Sequence, residues 1–166
     1  MIAITITQER PDSPHAQALV EELEDYFATL YPLEARYGLS VARLLAEKVA
    51  FFVLRVDGLP AGCGGVKFYG KEYAELKRMY VRPDYQGQGL GQMILVHLED
   101  HAHSLGISIM RLETGVYQEA AIRLYERMGY QLRGPFGDYR AGSLNIFYEK
   151  TLTEHPAEEQ PDHKDR

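Results

Sequence analysis

The apolar positions along this chain change period several times, and each change marks an element. Residues 1–7 (Met-Ile-Ala-Ile-Thr-Ile-Thr) alternate apolar and polar, the period of a half-buried strand. After the breaker Pro11-Asp-Ser-Pro14, residues 15–30 set Leu19, Leu23, Tyr26, Phe27 and Leu30 at helical spacing, and Pro32 closes the run. Residues 41–48 read as a short second helix. Two apolar runs, 51–56 and 61–69, flank Asp57-Gly58 and predict a hairpin. A strand over 73–81 enters a glycine-rich loop, and a helix over 89–104 leaves it. That helix places Leu90, Met93, Ile94, His97, Leu98, His101, Ala102 and Leu105 on or near one face, and Gly106 stops it. A strand over 107–113, a helix over 118–128 closed by Gly129, a short strand at 130–132 and a last strand over 143–150 complete the order.

That order constrains topology. A strand, a helix and a second strand in succession form a crossover unit, so strands 73–81 and 107–113 should run parallel. The other sequential strands are joined as hairpins and should be antiparallel. The expectation is an α/β (α+β) fold, a mixed and mostly antiparallel sheet with helices on both faces.

Length and charge narrow the picture modestly. A chain of 166 residues suits one domain, expected over 1–152. Residues 153–166 hold two prolines and almost no apolar residue, and predict a disordered acidic tail. The tail carries −3 of the formal net charge of −6. No basic stripe with interleaved aromatics points to nucleic acid, and no apolar run is long enough to span a bilayer. Cys63 is the only cysteine, so no intrachain disulfide can form. Together with a start that lacks a signal-peptide pattern, this reads as a cytoplasmic protein. His97 and His101 lie one helical turn apart but lack the glutamate of the zinc-protease pattern, so no metal is expected. Cys63, between glycines in a strand, reads as a small buried thiol. Tyr117, Tyr125, Tyr130, Tyr139 and Tyr148 either line a pocket or fill the core.

The candidate chemistry centres on Glu75 to Gly91, where glycines stand at 87, 89 and 91 just before a helix. The first amides of a helix have no intrahelical acceptor and sit at the positive end of its dipole, a setting for phosphate or pyrophosphate. Glycine permits positive φ there, and its missing Cβ lets an anion approach. Three familiar glycine loops do not fit. Gln92-Met93 replaces the Lys-Ser/Thr of a P-loop, the spacing is not that of the dinucleotide fingerprint, and kinase partner motifs are absent.

The segment Gln86-Gly-Gln-Gly89-Leu-Gly91 resembles the acetyl-CoA-binding motif of the GNAT superfamily of N-acetyltransferases, Arg/Gln-x-x-Gly-x-Gly/Ala. Met79-Tyr-Val-Arg-Pro83 is similar to the family's L-x-V-x-P strand end. Gln118 to Tyr130 resembles its N-x-x-A-x-x-L-Y-x-x-x-G-F/Y signature, with Gln118 in place of Asn and Tyr130 in place of the commoner Phe. The likeness covers about residues 49–152.

It implies a GNAT-type sheet whose central parallel strands splay apart beside the loop, with acetyl-CoA as co-substrate entering the gap. It implies transfer of an acetyl group to a primary amine by direct attack in a ternary complex. A non-catalytic acyl-CoA-binding regulatory or interaction module is the alternative, and a homodimer is compatible with the family. By this resemblance Glu75 is the general base, with Glu113 as rival, and Tyr125 protonates the departing thiolate. Met79 or Val81 offers an oxyanion N–H, the amides of Gly87, Gln88, Gly89, Leu90, Gly91 and Gln92, beside Gln86, hold the pyrophosphate, and Gln118 reaches the pantetheine arm. The acceptor, a small-molecule amine, a free amino acid or a protein or peptide amine, is expected to bind between residues 26–48 and the loop at 134–143.

Overall fold

The computed structural model describes residues 1–153, so nearly all of the tail expected to be disordered lies outside the described residues. The strands are β1 (Ile4–Glu9), β2 (Ala50–Val56), β3 (Leu59–Tyr69), β4 (Tyr73–Val81), β5 (Ile109–Gly115), β6 (Gln131–Arg133) and β7 (Asn145–Thr151). The helices are α1 (Pro14–Leu30), α2 (Val41–Ala46), α3 (Leu90–Ser104) and α4 (Glu119–Arg127). The strands form one sheet in the order β1-β2-β3-β4-β5-β7-β6.

Local chemistry accounts for the boundaries. Ser13 caps α1, its hydroxyl accepting from the Ala16 N–H, and Pro14 occupies the first turn, where no amide donor is needed. Asp57 and Gly58, at φ of 48° and 81°, turn β2 into β3 as a two-residue hairpin loop of type I′ requires. The first strand begins and ends later than its alternation predicts, over residues 4–9 instead of 1–7. Its far end is fixed by charge: Arg55 on β2 bonds the Glu9 carboxylate at 2.5 Å, and Ser13 donates to the same group.

β2 shows why its apolar run is continuous. Phe51 and Val53 pack with Leu19, Leu39 and Leu44 under α1 and α2. Phe52 and Leu54 point the other way, into a larger core with Ile94, Leu98 and Leu112 under α3. A strand covered on both faces has no polar alternation to display.

The sheet's one parallel pair, β4 and β5, is held together only at Ala74–Met110 and Glu75–Arg111. β4 continues to Val81 and β5 to Gly115 without further pairing to each other, so the strands diverge. On the other edge of β4 its register with β3 slips between Cys63 and Gly65, and Arg78 adopts a φ of 51°. Such a bulge bends the strand. The Cys63 thiol donates to the Arg78 carbonyl at 3.3 Å, within this irregularity. The opening between β4 and β5 positions the site.

Candidate active site

Two hollows with shared lining residues lie at the opening. The outer one is a groove of about 760 Å³ between the glycine loop, the end of β4 and α4. Gly87 and Gly89 both take φ of 78°, and Gly89 caps α3 in the left-handed conformation. A Cβ on either would meet nothing within 4 Å, so their faces stand open. Among the described residues no acceptor takes the N–H groups of residues 87–92. Six successive free amides at the head of a helix form an anion cradle.

Gly91 serves differently from its neighbours. Its φ is not positive, and a Cβ there would lie 3.2 Å from Leu124 Cδ2 and 3.6 Å from Met79 Cε. It brings α3 close to α4 and β4. Leu90 is buried in the core and can offer the groove only its backbone, while the Gln88 side chain is exposed and does not line the groove. Gln86 ties the loop back to β4 through its side-chain amide, which donates to the Val81 carbonyl at 3.0 Å.

The inner hollow, about 90 Å³, lies between β4 and β5 beneath the segments that follow α1 and precede β7. Leu23, Met79, Gln118, Ala121 and Tyr125 line both hollows, and Tyr125 alone among them is ionisable. Tyr125 is 5% exposed, and its hydroxyl has no hydrogen-bond partner among the described residues. Burial, and then the charge of Glu113, push its pKa above the ordinary phenol value, so it keeps its proton.

The two carboxylates on the wall have opposite surroundings. Glu75 is 1% exposed and fully engaged. Tyr69 donates to its Oε1 at 3.1 Å, Tyr139 to its Oε2 at 2.5 Å, and Lys77 Nζ stands 2.7 Å from Oε2. Lys77 also donates to the Tyr139 hydroxyl at 2.8 Å. The Glu113 carboxyl has no hydrogen bond or ion pair among the described residues, while its backbone lies in the β5–β7 ladder. Burial raises its carboxyl to about 7, with Lys77 pulling it down and Glu75 pushing it up. A carboxyl poised near neutrality can exchange a proton with a bound ligand, whereas both oxygens of Glu75 are already occupied by donors.

Residues 16–130 match the acetyltransferase (GNAT) family profile. The chain belongs to the GNAT family of acetyltransferases. This acetyltransferase is 39% identical over 150 residues to the IAA acetyltransferase of Azospirillum brasilense, covering 90% of this chain and 98% of that one. A solved structure from Klebsiella pneumoniae, assigned as an acyl-CoA N-acyltransferase, superposes with a TM-score of 0.77 at 34% identity, covering 90% of this chain and 98% of that chain. The yncA protein of Salmonella typhimurium, solved with its cofactor acetyl-CoA, has the same fold at TM-score 0.64 and 23% identity, over 93% and 97% of the two chains.

With the GNAT fold in view, most sequence-derived positions converge on the two hollows. Met79, Val81, Gln86, Gly87, Gly89, Leu90, Gly91, Gln92 and Gln118 line the groove, and Glu75, Glu113 and Tyr125 line the inner cavity. The Gln118 side chain approaches the Tyr31 hydroxyl at 3.4 Å, at the boundary between the hollows. The tyrosine set divides: Tyr130 and Tyr148 fill the core, Tyr117 edges the groove and Tyr139 enters the cavity.

Several wall residues carry no sequence signal of their role. Tyr31, whose hydroxyl accepts from the Tyr117 N–H at 2.9 Å, approaches so closely that a Cβ on Gly115 would stand 2.1 Å from it. Lys77, Tyr139 and Arg36 join from three distant segments. The remaining candidates lie elsewhere. His97 and His101 both set their rings edge-on to Phe52, at 4.9 and 5.1 Å. The described residues contain no group of three or more metal-ligating side chains and no helix long and apolar enough to cross a membrane.

Proposed function

We propose that this acetyltransferase moves the acetyl group of acetyl-CoA directly to a primary amine, with Glu113 as base and Tyr125 as acid. The observation that carries this reading is the junction itself. A cavity holding a carboxyl near neutrality opens onto an amide-lined groove through a buried, protonated phenol. Bound along the groove, acetyl-CoA supplies the activated carbonyl, its pyrophosphate on the amides of residues 87–92.

An alkyl ammonium has a pKa of roughly 10 and cannot attack until it loses a proton. Glu113 accepts that proton as the nitrogen closes on the carbonyl carbon. A backbone N–H of β4, from Met79 or Val81, donates to the oxygen as it gains charge. As the carbon–sulfur bond breaks, Tyr125 gives its proton to the sulfur, and products leave as an N-acetyl amine and free thiol. Glu75 is better suited to holding Lys77 and Tyr139 in place than to taking a proton, since both its oxygens are occupied. Direct attack is favoured over a covalent acetyl-enzyme. Cys63 lines neither hollow, and burial pushes its thiol up to about 12.

The test is isothermal titration with acetyl-CoA, followed by thiol release over an amine panel, on wild type and the Gly87→Asp, Gly89→Asp double variant, whose side chains enter open space. Wild type should bind and transfer, and the variant, with two carboxylates set at the cradle, should do neither. A folded wild type that binds no acetyl-CoA would sink the proposal.

A further inference from the structure

Acetyl transfer as proposed leaves two cations on the cavity wall without a task, Arg36 and Arg78. The Arg78 side chain is 2% exposed. Its Nε donates to the Leu39 carbonyl at 2.8 Å and its Nη2 to Glu24 Oε2 at 2.7 Å. Its Nη1 is buried with no hydrogen-bond partner among the described residues. Arg36 repeats the arrangement: Nη1 donates to Glu24 Oε1 at 3.1 Å, while Nε is buried and unpartnered.

One carboxylate is therefore shared between two guanidinium groups, and neither pairs with a second acidic side chain among the described residues. The neighbouring Lys77 is already paired with Glu75. Gly38 lies directly on the Arg78 guanidinium, since a Cβ there would stand 2.2 Å from Cζ and 2.3 Å from Nη1. Any larger residue at 38 would displace the group from the cavity edge.

A buried charged donor without an acceptor is unfavourable, and a ligand carboxylate forms the strong charge-assisted bonds that relieve it. The cavity, about 90 Å³, is smaller than the roughly 150 Å³ that holds a benzene ring. It suits a compact head group better than an extended chain.

We infer that the acceptor is an amino acid in the chemical sense, an amine bearing a carboxylate on a nearby carbon, received by the guanidinium groups of Arg78 and Arg36 while Glu113 meets the ammonium. This deepens the acetyl-transfer reading and rests on it. A peptide N-terminus presents an amide in place of that carboxylate and leaves both donors unpaired. Sites that bury donors for one ligand group discriminate sharply against analogues that lack it.

The experiment offers the full chain, at saturating acetyl-CoA, the common L-α-amino acids, their amides and their decarboxylated amines, and follows thiol release. At least one amino acid should be acetylated with kcat/KM more than tenfold above its amide and its amine. Arg36→Gln should raise KM for that amino acid more than tenfold and collapse the acid-to-amide ratio towards one, with acetyl-CoA affinity unchanged. Arg78→Lys should do the same if it folds, and the wild-type panel decides the matter if it does not. Amides or amines used as well as the acids would overturn the inference, as would an unaltered ratio in Arg36→Gln. Acetyl-CoA binding without turnover of any amino acid would also overturn it, and would leave transfer to another amine standing. Failure to bind acetyl-CoA would overturn the transfer reading and this one with it.

Discussion

Replacing Glu113 by Gln keeps the shape of the side chain and removes its capacity to take a proton. General acid–base groups contribute about 10²–10⁴-fold, so kcat/KM at about pH 8 should fall by that factor in Glu113→Gln. The profile of kcat/KM reports the free enzyme, in which burial holds the Glu113 carboxyl at about 7. Wild-type kcat/KM should thus rise about tenfold per pH unit up to that value and then level off, and the variant should lose this limb.

Stability should move in the opposite direction. The folded pKa lies above the ordinary 4.5, so this carboxyl's contribution is fully present below 4.5 and is lost as pH rises through about 7. A difference of about 2.5 in pKa corresponds to ~3 kcal/mol at most. Gln has no charge to desolvate, so between about pH 4 and pH 8 the variant should gain on wild type by up to ~3 kcal/mol, roughly 6–12 °C in Tm for a chain of this size. Thermal melts across pH and initial-rate thiol release measure both arms. A variant with wild-type kcat/KM at about pH 8 and an intact acidic limb would refute Glu113 as the base. A Tm difference that does not grow with pH would refute the burial argument beneath it.

Tyr125→Phe should lower kcat roughly 10²-fold or more while acetyl-CoA affinity holds, because the proposed task of the lost hydroxyl is to protonate the departing sulfur. Its stability should stay within about 0.5 kcal/mol of wild type, since that hydroxyl has no partner in the fold; calorimetry and steady-state rates check the two halves. Glu75→Gln should destabilise by roughly 3–5 kcal/mol in urea titrations, because it leaves Lys77 buried without its counter-charge. The double variant Glu75→Gln, Lys77→Met should recover part of that loss, and a single variant as stable as wild type would show that the pair contributes nothing.

The linear chain determined whatever depends on neighbours in sequence. Period and punctuation were enough for most elements, including the Asp57-Gly58 turn and the crossover that makes β4 and β5 parallel. The glycine loop was legible for the same reason: positive φ at 87 and 89 and free amides at a helix start are local properties. Gly91 shows the limit, since its need for glycine comes from Leu124 and Met79, which only folding brings near.

The different surroundings of the two carboxylates were decided in three dimensions. Motif position singled out Glu75, yet Tyr69, Lys77 and Tyr139, the last 64 residues along the chain, engage it. The same packing leaves the Glu113 carboxyl without donors among the described residues, and burial then raises its proton affinity. A pKa follows from desolvation and nearby charge, quantities that no stretch of sequence contains. The two arginines sharing Glu24 are invisible in sequence for the same reason. Arg36 follows α1 and Arg78 sits at a bulge in β4, and only folding brings both to one carboxylate, with one nitrogen of each left unpartnered among the described residues.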